Sequence, residues 1–229
     1  MKSHVSRTVS NCFAALRHIR HCVPRQALVS LVVSLVLSRV DYGNATLAGV
    51  PAYAISRLQS ALNAAARLVF SLQKYDSVTL LLQELHWLKV EQRIEYKLAV
   101  LVYRSLHGIA PPYLANDFRR VADLGTWRCL RSASTPALVV PPSQLSTVGD
   151  RAFPVAAARV WNSLPDFVTA STSLPTFKRH LKTVLFAKSY WTLAASDDLN
   201  TFHRTSYYLR IIVSLQSFWH YATLIIFVY

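Results

Sequence analysis

Apolar residues recur at intervals of three and four through most of this sequence, and this spacing constrains the fold more than any other feature. Such spacing puts the apolar side chains on one face of a helix, which must then pack against another element. The clearest example lies between positions 51 and 72, where one stripe is formed by Ile55, Leu58, Leu62, Ala65 and Val69. Pro51 suits the first turn of this helix, because that position needs no backbone N–H. We therefore predict a mostly α-helical, bundle-like domain.

Other segments carry the same helical spacing. Residues 90–106 form a second long helix, and Gly108 stands where a left-handed residue would end it. Residues 24–40 are apolar on nearly all sides, which predicts a buried helix too short to span a bilayer. The remaining predicted helices are a basic amphipathic one at 12–23, a short one at 77–85 with Asp76 as its N-cap, one at 152–164, and a last basic helix that opens at Ser173.

The helical periodicity fails between positions 116 and 150, where Pro, Ser and Thr gather. Loops are expected there, with a short hairpin around 137–140. The chain thus divides into a helical region at 1–118, a region at 119–188 that is rich in loops and then basic and helical, and a neutral tail at 189–229 rich in aromatic and apolar residues.

The tail contains an apolar stretch at 211–229, which has roughly the 20 residues that a membrane helix needs. Gln216 and His220 lie within it, and both side chains are costly in the core of a bilayer. A membrane anchor is one interpretation of this stretch. The other is sequence translated beyond the end of the folded domain, which leaves the structure of the tail open.

The charge of the chain is strongly basic. Lys and Arg number 25 against 11 Asp and Glu, for a formal net charge of +14. All but two residues of each sign precede Ser189, so the basic character belongs to the first two regions. A field of this sign attracts polyanions, of which nucleic acid is the commonest and an acidic membrane surface the second.

The three cysteines are Cys12, Cys22 and Cys129, an odd number without a CxxC pair. This pattern argues against a disulfide framework and a zinc knuckle, and it favours a reducing compartment. The polar N-terminus lacks the apolar stretch of a secretory signal. The nucleus and the cytoplasm are therefore the favoured locations, with a membrane as the alternative that 211–229 allows.

Few residues offer chemistry. Asp197 and Asp198 are adjacent, but no aromatic residue and no strand pattern precede them, so a turn or a helix cap is favoured over a metal-binding role. Four zinc donors lie close together at irregular spacing, which favours an ordinary amphipathic helix over a metal site: Cys12, His18, His21 and Cys22. No catalytic motif with a Ser or Cys nucleophile accompanies His86, His107 or His180.

A series of short phrases occurs in a fixed order between about positions 13 and 186. They are SRVDY (38–42), LAGVP (47–51), RLQ (57–59), NAAARLV (63–69), LHWL (85–88) with QRI (92–94), YRSLHGIAP (103–111), GDRAF (149–153), WNSLP (161–165), FK (177–178) and LKT (181–183). The ordered set resembles the C-terminal, thumb and post-thumb region of reverse transcriptases from non-LTR retrotransposons of the LINE type, the jockey-like group among them. Gly43, Leu62 and Lys89 depart from the family pattern, which shows Cys, Gln and Pro there.

The resemblance implies a helical part of an RNA-directed DNA polymerase that lacks the catalytic palm. The palm motif is expected upstream, so no catalytic residue and no cofactor are expected in this chain, although the intact family enzyme uses magnesium. The implied partners are RNA or DNA, held through phosphates, and the palm domain itself. The candidate phosphate-binding residues lie off the apolar stripes and are Arg57, Arg67, Arg93, Lys97, Arg151, Arg159, Lys178, Arg179 and Lys182.

Two alternatives accompany this interpretation. A decayed copy of such an element would give the same sequence without any cellular role. A membrane-associated protein would use 211–229 as its anchor.

Overall fold

The structure, a computed structural model, describes residues 22–73, 75–123, 137–143, 145 and 149–190. Within these ranges 68% of the residues are helical and none lies in a strand, which confirms the predicted mostly α-helical fold. The helices are α1 (Arg25–Val32), α2 (Ser38–Val40), α3 (Ala52–Phe70), α4 (Thr79–Glu84), α5 (Val90–Leu106), α6 (Pro112–Ala115), α7 (Phe153–Asn162), α8 (Asp166–Thr169) and α9 (Leu174–Tyr190). Short 3₁₀ segments lie at Asn44–Leu47, Val121–Asp123 and Gly149–Arg151.

Helix α5 is the centre of the domain. It is packed by α3, α7, α9 and the 3₁₀ segment Asn44–Leu47, so most of its circumference is buried. Its bounds are those predicted from the sequence, and Gly108 follows it with φ of 67°. This φ lies in the left-handed region, which interrupts the right-handed helix. Glycine adopts it without strain because it has no Cβ.

Aromatic residues join α5, α7 and α9. Phe177 of α9 is fully buried and stacks on Tyr103 of α5, with 4.4 Å between ring centroids, and on Trp161 of α7, with 5.9 Å. The Tyr103 hydroxyl donates a hydrogen bond of 3.0 Å to the carbonyl oxygen of Ser171. The buried apolar core therefore draws on both the 1–118 and the 119–188 regions.

The segment 24–40 is helical as predicted, but its helix changes type midway. A π-helical turn, Val33–Leu37, separates α1 from α2. The hydroxyls of Ser34 and Ser38 donate to backbone carbonyls one turn back, and such bonds commonly distort a helix. Leu35 points to solvent, so the prediction of burial on nearly all sides was wrong in this respect.

Asp76 does not cap α4, contrary to the sequence-based prediction. The helix begins at Thr79 after Val78, without a side-chain cap. The Asp76 carboxylate instead accepts a hydrogen bond of 2.6 Å from the backbone N–H of Gln73, which closes a turn within the preceding loop. The carboxylate is therefore bonded within this turn and not to the N–H groups at the start of α4.

The loop-rich middle is tied to α7 by a side chain. Where a hairpin was expected, the described residues contain one isolated antiparallel bridge, between Arg120 and Leu138. Asn162 of α7 accepts a hydrogen bond from the Leu138 N–H and donates one to the Leu138 carbonyl, both at 2.8 Å. A side-chain amide thus takes the place of a second strand partner for this segment.

Some predictions fall on residues outside the described ranges. These are nearly all of the amphipathic helix at 12–23, with Cys12, His18 and His21, and the tail from 191 onward, with Asp197, Asp198 and the stretch 211–229. Among the helices that are described, none has both the length and the apolar character that crossing a bilayer requires.

Gly49 and Gly108 provide a matched pair for a stability measurement. Gly49 has φ of 64°, and a Cβ added there would lie 2.7 Å from Cγ of Arg151, whereas Gly108 has nothing within 4 Å of the equivalent position. Gly108→Ala should cost about 1–2 kcal/mol of unfolding free energy through backbone strain alone. Gly49→Ala should cost measurably more in urea denaturation, because Arg151 must also move.

Arg151→Ala is the control for this contact. When Arg151 is alanine, Gly49→Ala should lower the free energy of unfolding by about as much as Gly108→Ala does. Equal losses for Gly49→Ala and Gly108→Ala would contradict the packing of Arg151 on Gly49.

Candidate nucleic-acid interface

The exposed side of α5 is basic. Beyond the first turn, its exposed residues are Lys97 and Arg104, and the half-buried Arg93 lies on the same side. These positions are four and seven residues apart, so they fall on one face of a helix with 3.6 residues per turn. With a rise of about 1.5 Å per residue, the three side chains span roughly 16 Å.

Arg93 is held in place by a turn distant in sequence. Its Nε donates to Oδ1 of Asp41 at 2.7 Å, and Nη2 donates to Oδ2 of the same carboxylate. Asn44 Nδ2 also donates to Asp41 Oδ1, at 3.0 Å. The Arg93 side chain is only 17% exposed, so this two-pronged pair fixes the guanidinium and holds residues 41–44 against α5.

Helix α9 places a second set of cations beside the first. Lys178 and Lys182 are one turn apart and share a face, with Arg179 next to them. Burial lowers the pKa of Lys182, and the nearby positive charge of Arg93 lowers it further. Arg93 and Lys182 therefore lie near each other where α9 packs on α5. We refer to Arg93, Lys97, Arg104, Lys178, Arg179 and Lys182 as the basic strip.

The segment 86–89 anchors the end of α9 beside the basic strip. The Tyr190 hydroxyl donates to the carbonyl oxygen of Trp87, and the Lys89 ammonium lies 5.3 Å from the centroid of the Tyr190 ring. Burial raises the pKa of the Tyr190 phenol. His86 has a lowered pKa, first because of burial and then because of the charge of Lys182. A neutral His86 adds no charge to this end of the strip.

Two acidic residues at α5, Asp41 and Glu95, are engaged in ion pairs. Glu95 accepts from Lys188 of α9 at 2.8 Å, which joins the two helices on another side of α5. Asp41 is paired with Arg93. Among the described residues neither Lys97 nor Arg104 forms an ion pair, so both exposed cations of α5 are available to an anion.

Five of the nine predicted site residues belong to the basic strip: Arg93, Lys97, Lys178, Arg179 and Lys182. The other four lie elsewhere. Arg57 is exposed on α3, and Arg151 packs against Gly49. Arg67 donates to the backbone carbonyl of Asp76 at 3.1 Å, which makes it a brace for the loop after α3.

Arg159 forms an ion pair with Asp150 at 2.8 Å, and Ser143 donates to the same carboxylate at 2.6 Å. The hydrogen bond from Ser143, followed by that from Arg159, lowers the pKa of Asp150. Arg159 therefore already has a carboxylate partner, and it lies on α7, outside the basic strip.

Arg104 is a candidate site residue that the sequence interpretation missed. It lies off the apolar stripe of α5 and seven positions after Lys97, so helical spacing alone would have placed it two turns further along the same face. The signal was present in the sequence but needed the correct choice of face.

His180 has a serine partner, contrary to the sequence-based expectation. Ser171 Oγ lies 3.2 Å from His180 Nδ1, and the His180 ring meets the edge of Phe167. A catalytic serine must be reachable by substrate, whereas Ser171 is buried and its carbonyl receives the Tyr103 hydroxyl. The pair fastens α8 to α9 and is best understood as structural.

The described residues contain no group of three or more His, Cys, Asp or Glu side chains positioned to hold a metal ion. Fold and site together define a mostly helical domain with a basic surface on two packed helices. Comparisons with models of protein families, with curated proteins and with solved structures gave no match.

Proposed function

We propose that this chain is the nucleic-acid-holding, C-terminal part of a non-LTR retrotransposon reverse transcriptase, without the catalytic palm. In this proposal it contacts RNA or DNA through phosphates on the basic strip and catalyses no reaction by itself. Magnesium would belong to the palm of the intact enzyme. The observation that carries the proposal is the basic strip, which is formed by cations of two helices that pack against each other.

The quoted phrases of the sequence support this proposal through the contacts that they make. Asp41 of SRVDY pairs with Arg93 of QRI. Gly49 of LAGVP lies against Arg151 of GDRAF, and Gln59 of RLQ accepts a hydrogen bond from the Val90 N–H at 2.9 Å. These contacts make the phrases parts of one scaffold, on which the basic strip lies.

Aromatic members of the phrases follow the same rule. Tyr103 of YRSLHGIAP, Trp161 of WNSLP and Phe177 of FK form one buried stack. Phosphate contact therefore falls to basic residues that the scaffold leaves at the surface, such as Lys97 and Lys178. A contact between such a cation and a phosphate does not depend on the base sequence of the nucleic acid.

Filter binding of the full chain at two salt concentrations tests this function. About five phosphate contacts to a single strand imply a slope near −3.5 for log K against log salt, or roughly a hundredfold weaker binding at 200 mM than at 50 mM. Absent binding, or binding that is insensitive to salt, would contradict the proposal. Primer extension by the purified chain with magnesium and nucleotides would contradict its non-catalytic part.

The alternatives make different predictions. A decayed copy lacks an intact palm in the same reading frame upstream, which the genomic sequence would reveal. A protein anchored through 211–229 stays with membranes during carbonate extraction, whereas the nucleic-acid-holding chain is released.

A further inference from the structure

Two exposed tyrosines lie on segments that are joined to the two ends of the α5 part of the basic strip. Tyr42 directly follows Asp41, the partner of Arg93, and its side chain is 72% exposed. Tyr113 lies in α6, just beyond the end that carries Arg104, and is 69% exposed. Aromatic side chains of this size are normally at least partly buried.

Both tyrosines stand on backbone that is held by hydrogen bonds. The N–H of Asp41 donates to the Leu37 carbonyl at 2.8 Å, so the Tyr42 turn continues directly from α2. The N–H groups of Ile109 and Ala110 donate to the Arg104 carbonyl at 2.8 and 3.1 Å, which fixes the turn that leads into α6. A ring on a fixed backbone loses little conformational entropy when a flat ligand stacks on it.

We propose that Tyr42, the basic strip and Tyr113 form a binding surface for single-stranded nucleic acid, with unpaired bases stacked on the two tyrosine rings. The inference rests on the proposed function and makes it more specific. Phosphates would lie along Lys97 and Arg104, which are exposed and seven residues, or roughly 10 Å, apart on α5. Bases in a duplex present edges but not faces, so only an unpaired strand gains from the rings.

The test compares a fluorescent single-stranded oligonucleotide with a duplex of the same sequence, by anisotropy on the full chain. Tyr42→Ala/Tyr113→Ala should weaken single-strand binding on the order of 30-fold and change duplex binding less than about twofold. Tyr42→Phe/Tyr113→Phe should stay within about threefold of the unsubstituted protein, because the ring face is kept. Circular dichroism establishes that each variant is folded.

Tyr75 supplies the matched control. It is 90% exposed in the segment between α3 and α4, away from the strip in sequence and on another element. Tyr75→Ala should leave binding to either oligonucleotide unchanged, and a loss equal to that of the double variant would overturn the assignment.

The remaining outcomes separate the two proposals. If the alanine variants of Tyr42 and Tyr113 bind single strands normally, while neutralising Lys97 and Arg104 weakens binding, this inference fails and the proposed function stands. Equal losses on single strand and duplex also overturn the stacking role. If the unsubstituted chain binds neither oligonucleotide, both proposals fail.

Discussion

Phe177→Ala is expected to remove about 3–5 kcal/mol from the free energy of unfolding. The Phe177 ring is fully buried and stacks on both Tyr103 and Trp161, so its removal leaves a cavity where α5, α7 and α9 meet. Domains of this size have a total stability of about 5–15 kcal/mol, so the loss is a large part of the whole. Urea denaturation of the full chain followed by far-UV circular dichroism measures it.

Phe167→Ala is the matched control, because it deletes the same atoms from a ring that is 58% exposed on α8. It should cost no more than about 1 kcal/mol, since little apolar surface changes its exposure. Similar losses for the two variants would contradict the placement of Phe177 at the junction of the three helices.

The sequence predicted best those elements whose limits are set by their own residues. Helix α5 begins and ends where predicted because its apolar spacing is regular and Gly108 terminates it locally. The π-helical turn at Val33–Leu37 has no comparable signature, because its sequence of four apolar residues and Ser34 suits an ordinary α-helix equally well. The predicted N-cap of α4 was wrong for a related reason. Asp76 can bond either the preceding turn or the start of the helix, and the spacing of residues does not indicate which of the two it prefers.

The candidate site was predicted only in part, because helical spacing shows which cations avoid the core but not what they meet. Arg67 and Arg159 lie off their apolar stripes, yet a backbone carbonyl and a carboxylate engage them. Asp41 lies 52 positions before Arg93, so no local pattern links them. The packing of α9 on α5 joins two basic faces that the sequence presents as separate.

Burial of the aromatic residues was easier to predict than the role of the exposed ones. Trp87 and Trp161 have apolar neighbours in the sequence, which favours a place in the core, and both are buried. Tyr42 and Tyr113 stand next to turn residues, where an aromatic side chain has no fixed tendency. Only the Asp41–Arg93 pair and the backbone hydrogen bonds to the Arg104 carbonyl show that the two segments adjoin the ends of the basic face of α5.

Lys97→Gln/Arg104→Gln is expected to weaken binding of a single-stranded oligonucleotide by on the order of 10- to 100-fold at low salt, since two exposed phosphate contacts are lost. The slope of log K against log salt should become shallower by about 1.4, which is two contacts at about 0.7 each. Both side chains are exposed, so the free energy of unfolding should change by less than about 0.5 kcal/mol. Anisotropy titrations at several salt concentrations give both quantities.

Arg57→Gln/Arg119→Gln is the matched control, because it also removes two positive charges, but from exposed positions outside the basic strip. Any binding that depends only on net charge responds equally to the two double variants, because each lowers that charge by two. If the binding surface is formed by α5 and α9, Lys97→Gln/Arg104→Gln makes the slope of log K against log salt shallower. Arg57→Gln/Arg119→Gln then has a slope near that of the unsubstituted chain. Equal slopes for the two variants would therefore remove the basic strip as the site, even if the chain binds nucleic acid.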